Sequence, residues 1–189
     1  MRTATATLKS ASPYSQSREY QSEVAKINGE TPDAYDIRTW REHCHATPEG
    51  NIFISPMAFK FALAAGAKML GIKIPSKRGA TMTKYFDSGV LVMEPLVLPD
   101  RKDEVPFDRI YAHANGKRGS GTRVWRRFPR IDQWSGKVVF HVLADEITPE
   151  AFEDALRQAG AFIGIGRFRP ESPIGGFYGR FEVASISWA

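Results

Sequence analysis

Cysteine is nearly absent: Cys44 is the only one in 189 residues. A single thiol excludes an intrachain disulfide framework, and a reducing, cytoplasmic setting is the expectation. Long apolar runs are missing too. Stretches such as 61–66 and 89–93 fall far short of the roughly 20 residues a membrane helix needs, and the N-terminus lacks the apolar core of a signal peptide. Nucleotide-cofactor motifs are absent. Gly116-Lys117-Arg118-Gly119-Ser120-Gly121-Thr122 does not follow the order of a phosphate-binding P-loop, and Gly164-Ile165-Gly166 runs toward Pro170 and a strand where a dinucleotide fingerprint needs a helix. His43-Cys44-His45 offers adjacent metal-ligand types but no second pair at zinc-type spacing. No metal and no cofactor are expected.

Acid is also missing where it would be most conspicuous. The chain carries a net charge of +5, yet residues 117–130 hold six basic side chains and no acidic one, while 100–108 hold four acids. A solvated face ordinarily mixes signs. Lys117, Arg118, Arg123, Arg126, Arg127 and Arg130, interleaved with Trp125 and Phe128, therefore read as a polyanion-binding loop. Lys73, Lys77, Arg78 and Lys84, set among Pro75 and Gly79, form a second basic loop.

The last third of the chain concentrates glycine with arginine and aromatics: Gly164-Ile165-Gly166-Arg167-Phe168-Arg169-Pro170, then Gly175-Gly176-Phe177-Tyr178-Gly179-Arg180-Phe181. Glycine permits positive φ and close approach of backbone to a ligand. Arginine supplies phosphate contacts, and rings supply stacking faces. Nucleic acid uses all three. Gly164, Gly166 and Gly179 are read as the approach surface, Arg167, Arg169 and Arg180 as phosphate contacts, and Phe177 and Tyr178 as stacking groups.

Periodicity gives the frame. Residues 3–9 alternate as a half-buried strand. Residues 10–36 are polar and weakly periodic, a long excursion of the functional or disordered kind. Ile52-Phe53-Ile54 is a short strand, and Ser55-Pro56 opens a helix whose stripe of Phe59, Ala62, Leu63, Gly66 and Leu70 ends at Gly71. Residues 89–93 and 137–143 are strands, and 99–135 reads as an insertion or thumb-like hairpin within a single domain spanning 1–189. Thr148-Pro149-Glu150 opens a second helix closed at Gly160, residues 161–163 begin a further strand, and 178–186 form the last. The order is that of an α+β, ferredoxin-like or RRM-like βαββαβ core.

These segments resemble a known family, the RAMP superfamily of CRISPR systems. The glycine-rich segment 164–181 looks like that family's loop before the last strand, and Asn51-Ile52-Phe53-Ile54-Ser55-Pro56-Met57-Ala58-Phe59-Lys60 is similar to the segment leading into the first helix of effector backbone subunits. Residues 99–135 lie outside the likeness. The resemblance implies a protein that binds single-stranded nucleic acid, RNA in preference to DNA, with copies side by side on the strand or within a multi-subunit ribonucleoprotein. A phage-encoded relative is included in that reading.

Catalytic candidates are few. RNA cleavage needs a group to take the 2′-hydroxyl proton and another to protonate the leaving oxygen. The resemblance points to a histidine of the N-terminal half, His43 or His45, in repeat-processing endoribonucleases, and to an aspartate in the region of Asp33 and Asp36 in some backbone subunits. Read from the residues alone, the two histidines are exposed polar groups following Trp40, and Asp33, after Pro32, initiates a turn. The expected function is non-enzymatic strand binding. The alternatives are a metal-independent endoribonuclease and a phage single-stranded DNA-binding or anti-CRISPR interaction protein.

Overall fold

The computed structural model describes residues 1–74, 79–113, 121–173 and 175–189. In chain order its strands are β1 (Arg2–Ser10), β2 (Tyr14–Ser15), β3 (Asn51–Ile54), β4 (Val90–Leu91), β5 (Leu96–Arg101), β6 (Phe107–His113), β7 (Arg123–Ile131), β8 (Ser135–Val142) and β9 (Phe181–Trp188). Its helices are α1 (Pro32–Thr39), α2 (Pro56–Leu70), α3 (Thr83–Ser88) and α4 (Pro149–Gln158).

The central sheet runs β4-β8-β1-β9, every neighbour antiparallel. With α2 after β1 and α4 after β8, this is the strand order and connectivity of a ferredoxin-like βαββαβ core. Alternation in β1 decides which face is covered. Ala4, Ala6 and Leu8 are fully buried with Val138, Phe140, Phe152, Leu156, Phe59 and Leu63 in one apolar core. Thr3, Thr5 and Thr7 point the other way, opposite His141, Val139 and Lys137 of β8, and Ser187 and Ser185 of β9 flank Thr5 and Thr7. His141 is the one ring among these named side chains, and none of them is Phe, Tyr or Trp.

Small residues set how closely the two helices lie. A Cβ at Gly66 on α2 would run into the carbonyl of Ala155 and come within 2.9 Å of the Ala159 nitrogen on the α4 side. Gly160 does similar work: its Cβ would meet the carbonyl of Phe181. The sequence reading of Gly160 as a helix stop and of 161–163 as a strand is corrected on this point. The helix continues through a π turn, Ala159–Ile163, and ends at Gly164 with φ 71°, because Gly160 lets that turn lie directly on β9.

Three segments depart from the core. The excursion after β1 contains α1, whose N-cap Thr31 accepts a hydrogen bond from the Ala34 nitrogen, with Pro32 following and Asp33 in the first turn. β6 and β7 pair as a long antiparallel hairpin, Phe107 opposite Pro129 through His113 opposite Arg123. Residues 164–173 and 175–180 form irregular chain against β2. Substituting Gly66→Ala should cost about 1–3 kcal/mol, because overpacking here pushes backbone rather than a flexible side chain. Chemical denaturation checks this, and an unchanged midpoint would show that α2 and α4 tolerate a wider spacing.

Candidate nucleic-acid interface

The buried carboxylate of Asp36 organises the site. Its side chain is 0% exposed, accepts from the Arg127 backbone nitrogen at 3.1 Å and takes the Arg127 guanidinium at 2.8 Å. Asp33, one turn earlier, reaches the same guanidinium at 3.4 Å and Arg109 at 3.8 Å. Both acids thus fasten α1 to the hairpin, Asp33 through ion pairs at a half-exposed side chain. Arg127 is corrected with them: it is buried between carboxylates and closed to a phosphate. Arg130 is likewise engaged, with Asp108 at 3.1 Å and Asp132 at 2.9 Å.

A column of rings continues from this point. The Arg167 guanidinium lies 3.5 Å from the centroid of Phe128; Phe128 lies 4.9 Å from His43, His43 4.7 Å from Tyr20, and Tyr20 6.4 Å from Tyr35. His43 is therefore buried, which overturns the reading of it as an exposed polar residue. Its Nδ1 lies 3.2 Å from the Arg18 carbonyl, Nε2 has no partner among the described residues, and burial holds its pKa below the ordinary value. Phe128, buried beneath Arg167, cannot stack on a base.

Arg167 crowns the column at the edge of a cleft of about 330 Å³. The cleft lies between the glycine-rich loop, β2 and the N-terminal end of α2, and Ser17, His45, Ser55, Gly166, Arg167 and Arg169 are among its walls. Among the described residues Arg167 has no carboxylate within 4 Å. Among the described residues its buried Nε has no partner and its side chain makes one hydrogen bond, to the Ser17 hydroxyl at 3.4 Å; desolvation lowers its pKa to about 10. Arg169 is half-exposed beside it, shared between Glu171 and the Gly166 carbonyl. His45 is held by a hydrogen bond from its backbone nitrogen to Gln16 at 2.6 Å, and burial lowers its pKa.

The glycines of the loop serve the protein's own packing. A Cβ at Gly166 would strike the Tyr14 ring and the Ser15 carbonyl; at Gly179 it would strike the Ile165 carbonyl; at Gly164 it would meet Pro170 and the Tyr178 carbonyl. All three adopt positive φ. Gly164 and Gly179 are buried, which corrects their reading as approach surface, whereas Gly166 packs on Tyr14 and still lines the cleft. Gly175, with φ 65° and nothing within 4 Å, is the open one.

Tyr178 also has a structural bond. Its hydroxyl donates to Asp108 of β6 at 2.5 Å, tying the loop to the hairpin, and burial with that carboxylate pushes its pKa up to about 12. Phe177 is 60% exposed and Arg180 is exposed.

The hairpin carries a second surface. By the register of β6 and β7, Phe107, Arg109, Tyr111, Arg123 and Trp125 share one face. Tyr111 and Trp125 lie 5.2 Å apart and the Arg109 guanidinium sits 4.5 Å over Trp125. Sequence reasoning found Arg123 and Trp125 but missed Phe107, Arg109 and Tyr111, although Phe107-x-Arg109-x-Tyr111 alternates at strand period. Arg126 points to the opposite face, 4.0 Å from Asp36.

The basic loop after α2 stands apart. Lys73 and Lys84 are exposed, with Lys84 over the Tyr85 ring at 4.9 Å, but they follow the C-terminal end of α2. A 15-residue helix separates that end from the cleft, roughly 20 Å of axis. Lys77, Arg78, Lys117 and Arg118 lie outside the described residues.

Among the described residues no group of three His, Cys, Asp or Glu could hold a metal ion, and no helix is long and apolar enough to cross a membrane. Replacing Asp36 by Asn should destabilise the fold by about 3–5 kcal/mol, since it leaves the Arg127 guanidinium buried and uncompensated. Equilibrium unfolding measures this, and a loss below about 1 kcal/mol would remove the pair from its organising role.

No protein-family model and no curated protein matches the sequence. Among solved structures, the chain is similar to Cmr6 from Pyrococcus furiosus, with 13% identity over 97% of this chain and 99% of that one at a TM-score of 0.48. It is also similar to a chain of a CRISPR RNA-guided surveillance complex, with 10% identity over 93% of this chain and 65% of that one at a TM-score of 0.39.

Proposed function

We propose that this protein binds single-stranded nucleic acid, RNA in preference to DNA, with copies side by side along the strand. The observation that carries the proposal is Arg167. A guanidinium largely removed from water, without a carboxylate, is costly to hold, and a phosphate oxygen reaching it would form charge-assisted hydrogen bonds at a site already desolvated. Arg169 adds a second cation, and the N-terminal end of α2 adds the positive end of a helix dipole. Ser55 makes no capping bond to its own helix, so its hydroxyl can meet a sugar 2′-hydroxyl, the group that separates RNA from DNA. Tyr111 and Trp125 on the hairpin offer sequence-tolerant stacking faces.

Binding should therefore fall on removal of Arg169 and of Arg123, both outside the buried pair. Each phosphate that is no longer neutralised should reduce the slope of log affinity against log salt by ~0.7 for a single strand, with thermal stability retained. A salt slope unchanged in the Arg123→Ala, Arg169→Ala double variant would reject phosphate binding at these positions.

One feature favours a second reading, metal-independent RNA cleavage: His45 faces the same cleft as both arginines. Burial keeps its imidazole neutral near pH 7, as a general base must be. If labelled RNA is cut without magnesium, His45→Ala should abolish cutting and leave binding within about twofold. RNA left intact by the parent protein would exclude this reading.

A further inference from the structure

The Arg167 cleft carries more positive charge than one phosphodiester neutralises. Arg167 and Arg169 both line it, and among the described residues that form its walls there is no Asp or Glu. Glu171 offsets part of Arg169, at 3.3 Å from its Nε, while Arg167 keeps its charge whole. The N-terminal end of α2 adds a dipole equivalent to about half a positive charge. Resting on the strand-binding reading above, we propose that this cleft takes a terminal phosphomonoester, the phosphorylated end of a strand, in preference to a phosphodiester within it.

Charge and donor number separate the two ligands. A phosphodiester has a single negative charge shared by two terminal oxygens, whereas a monoester carries about −1.5 to −2 near pH 7 on three. The cleft has donors on three sides. Arg167 stands on the loop before β9, Ser17 follows β2 and Ser55 precedes α2. The Ser17 hydroxyl lies 3.4 Å from the Arg167 guanidinium, so one anionic oxygen can be met by both. Ser55 makes no capping bond to its own helix, which leaves its hydroxyl for a second oxygen on the opposite side.

What enters is the phosphate and not a base. Tyr14 is 3% exposed, and its ring occupies the place where a Cβ on Gly166 would fall, so it offers no open face. The His45 ring is tilted against Phe53 with centroids 5.6 Å apart. At about 330 Å³ the cleft is at the lower end of the ~300–1,000 Å³ typical of small-molecule sites. A phosphate within a strand brings a nucleoside on either side to this mouth, whereas a terminal one brings a single nucleoside, whose chain then leaves past Arg169. The cleft therefore reads an end and not a sequence.

Fluorescence anisotropy with a short, internally labelled RNA in three forms tests this: 5′-phosphate, 3′-phosphate, and hydroxyls at both ends, all at one salt concentration. At least one phosphorylated form should bind about tenfold or more tighter than the hydroxyl-ended form. A gain at one end alone assigns the polarity of the strand. Arg167→Met keeps an apolar stem over Phe128 and removes the guanidinium, so it should bring phosphorylated and hydroxyl-ended RNA within about twofold of each other. Ser17→Ala combined with Ser55→Ala is the second variant, since Ser17 is exposed and Ser55 does not cap, and it should narrow the preference severalfold. Thermal melting beside each titration shows that the variants fold. Equal binding of all three forms by the parent protein would overturn the proposal and leave strand binding standing. A preference unchanged in Arg167→Met, or in the double serine variant should Arg167→Met not fold, would sink it as well. Absence of binding to every form would instead reject strand binding itself, and this proposal with it.

Discussion

The contact on which the other surfaces depend is the one between Asp36 and Arg127. One apolar core joins Ala4, Leu8, Phe59 and Phe140 to Tyr14, Trp40 and Cys44 of the excursion and to Ile131 of β7. Those two segments are fixed to each other by a carboxylate that takes both a backbone nitrogen and a guanidinium. A buried ion pair of this sort contributes little net stability against an apolar replacement, but removing one member is severe. Its consequence is positional: α1 meets β7 at a fixed register. Phe128, the next residue after Arg127, is thereby set beneath Arg167, with His43 and Tyr20 behind it. The Arg167 cleft lies at the head of this column of rings.

The placement of chemistry follows from what the sheet does not offer. In an RNA-recognition motif, rings on the exposed sheet face stack the bases. Here the corresponding positions of β1, β8 and β9 are threonine, serine, valine, histidine and lysine. Exposed Tyr111 and Trp125 stand instead on the hairpin, and Arg167 and Arg169 on the loop before β9. The core carries these segments as a scaffold carries loops, a common division of labour. The likeness of fold to RNA-recognition modules therefore says little about where a strand would run, and the site must be argued from its own residues.

Much of the core was legible because it obeys simple periods. Alternation in 3–9, the stripe of α2 and the Thr148-Pro149-Glu150 start of α4 are local signals that tertiary packing reinforced. Thr31-Pro32-Asp33 is the same start signal, and both threonines cap in the same way. It is hard to see in the sequence because α1 buries Tyr35, Asp36 and Thr39 rather than an apolar stripe; burial there depends on Arg127, 91 residues away, which no local pattern reveals. The same limit applies to the glycines. Their abundance in 164–179 correctly marked close approach, but what approaches Gly166 is Tyr14, from the far end of the sequence. Likewise an acid-free basic run did not distinguish Arg123, outside the pair, from Arg127, inside it.

Arg167 shows why arginine rather than lysine suits the cleft. A planar guanidinium can lie flat on Phe128 while its edge remains directed at a ligand, whereas a lysine ammonium is a strongly hydrated point charge that loses more on leaving water. Stacking offsets part of the desolvation cost but supplies no counter-charge. The lack of a counter-charge also gives direction: a neutral group would leave the guanidinium as it is, whereas two oxygens of one anion, carboxylate or phosphate, would match its planar edge. Of the two, a phosphodiester could also extend along a backbone toward Arg169, which lines the same cleft.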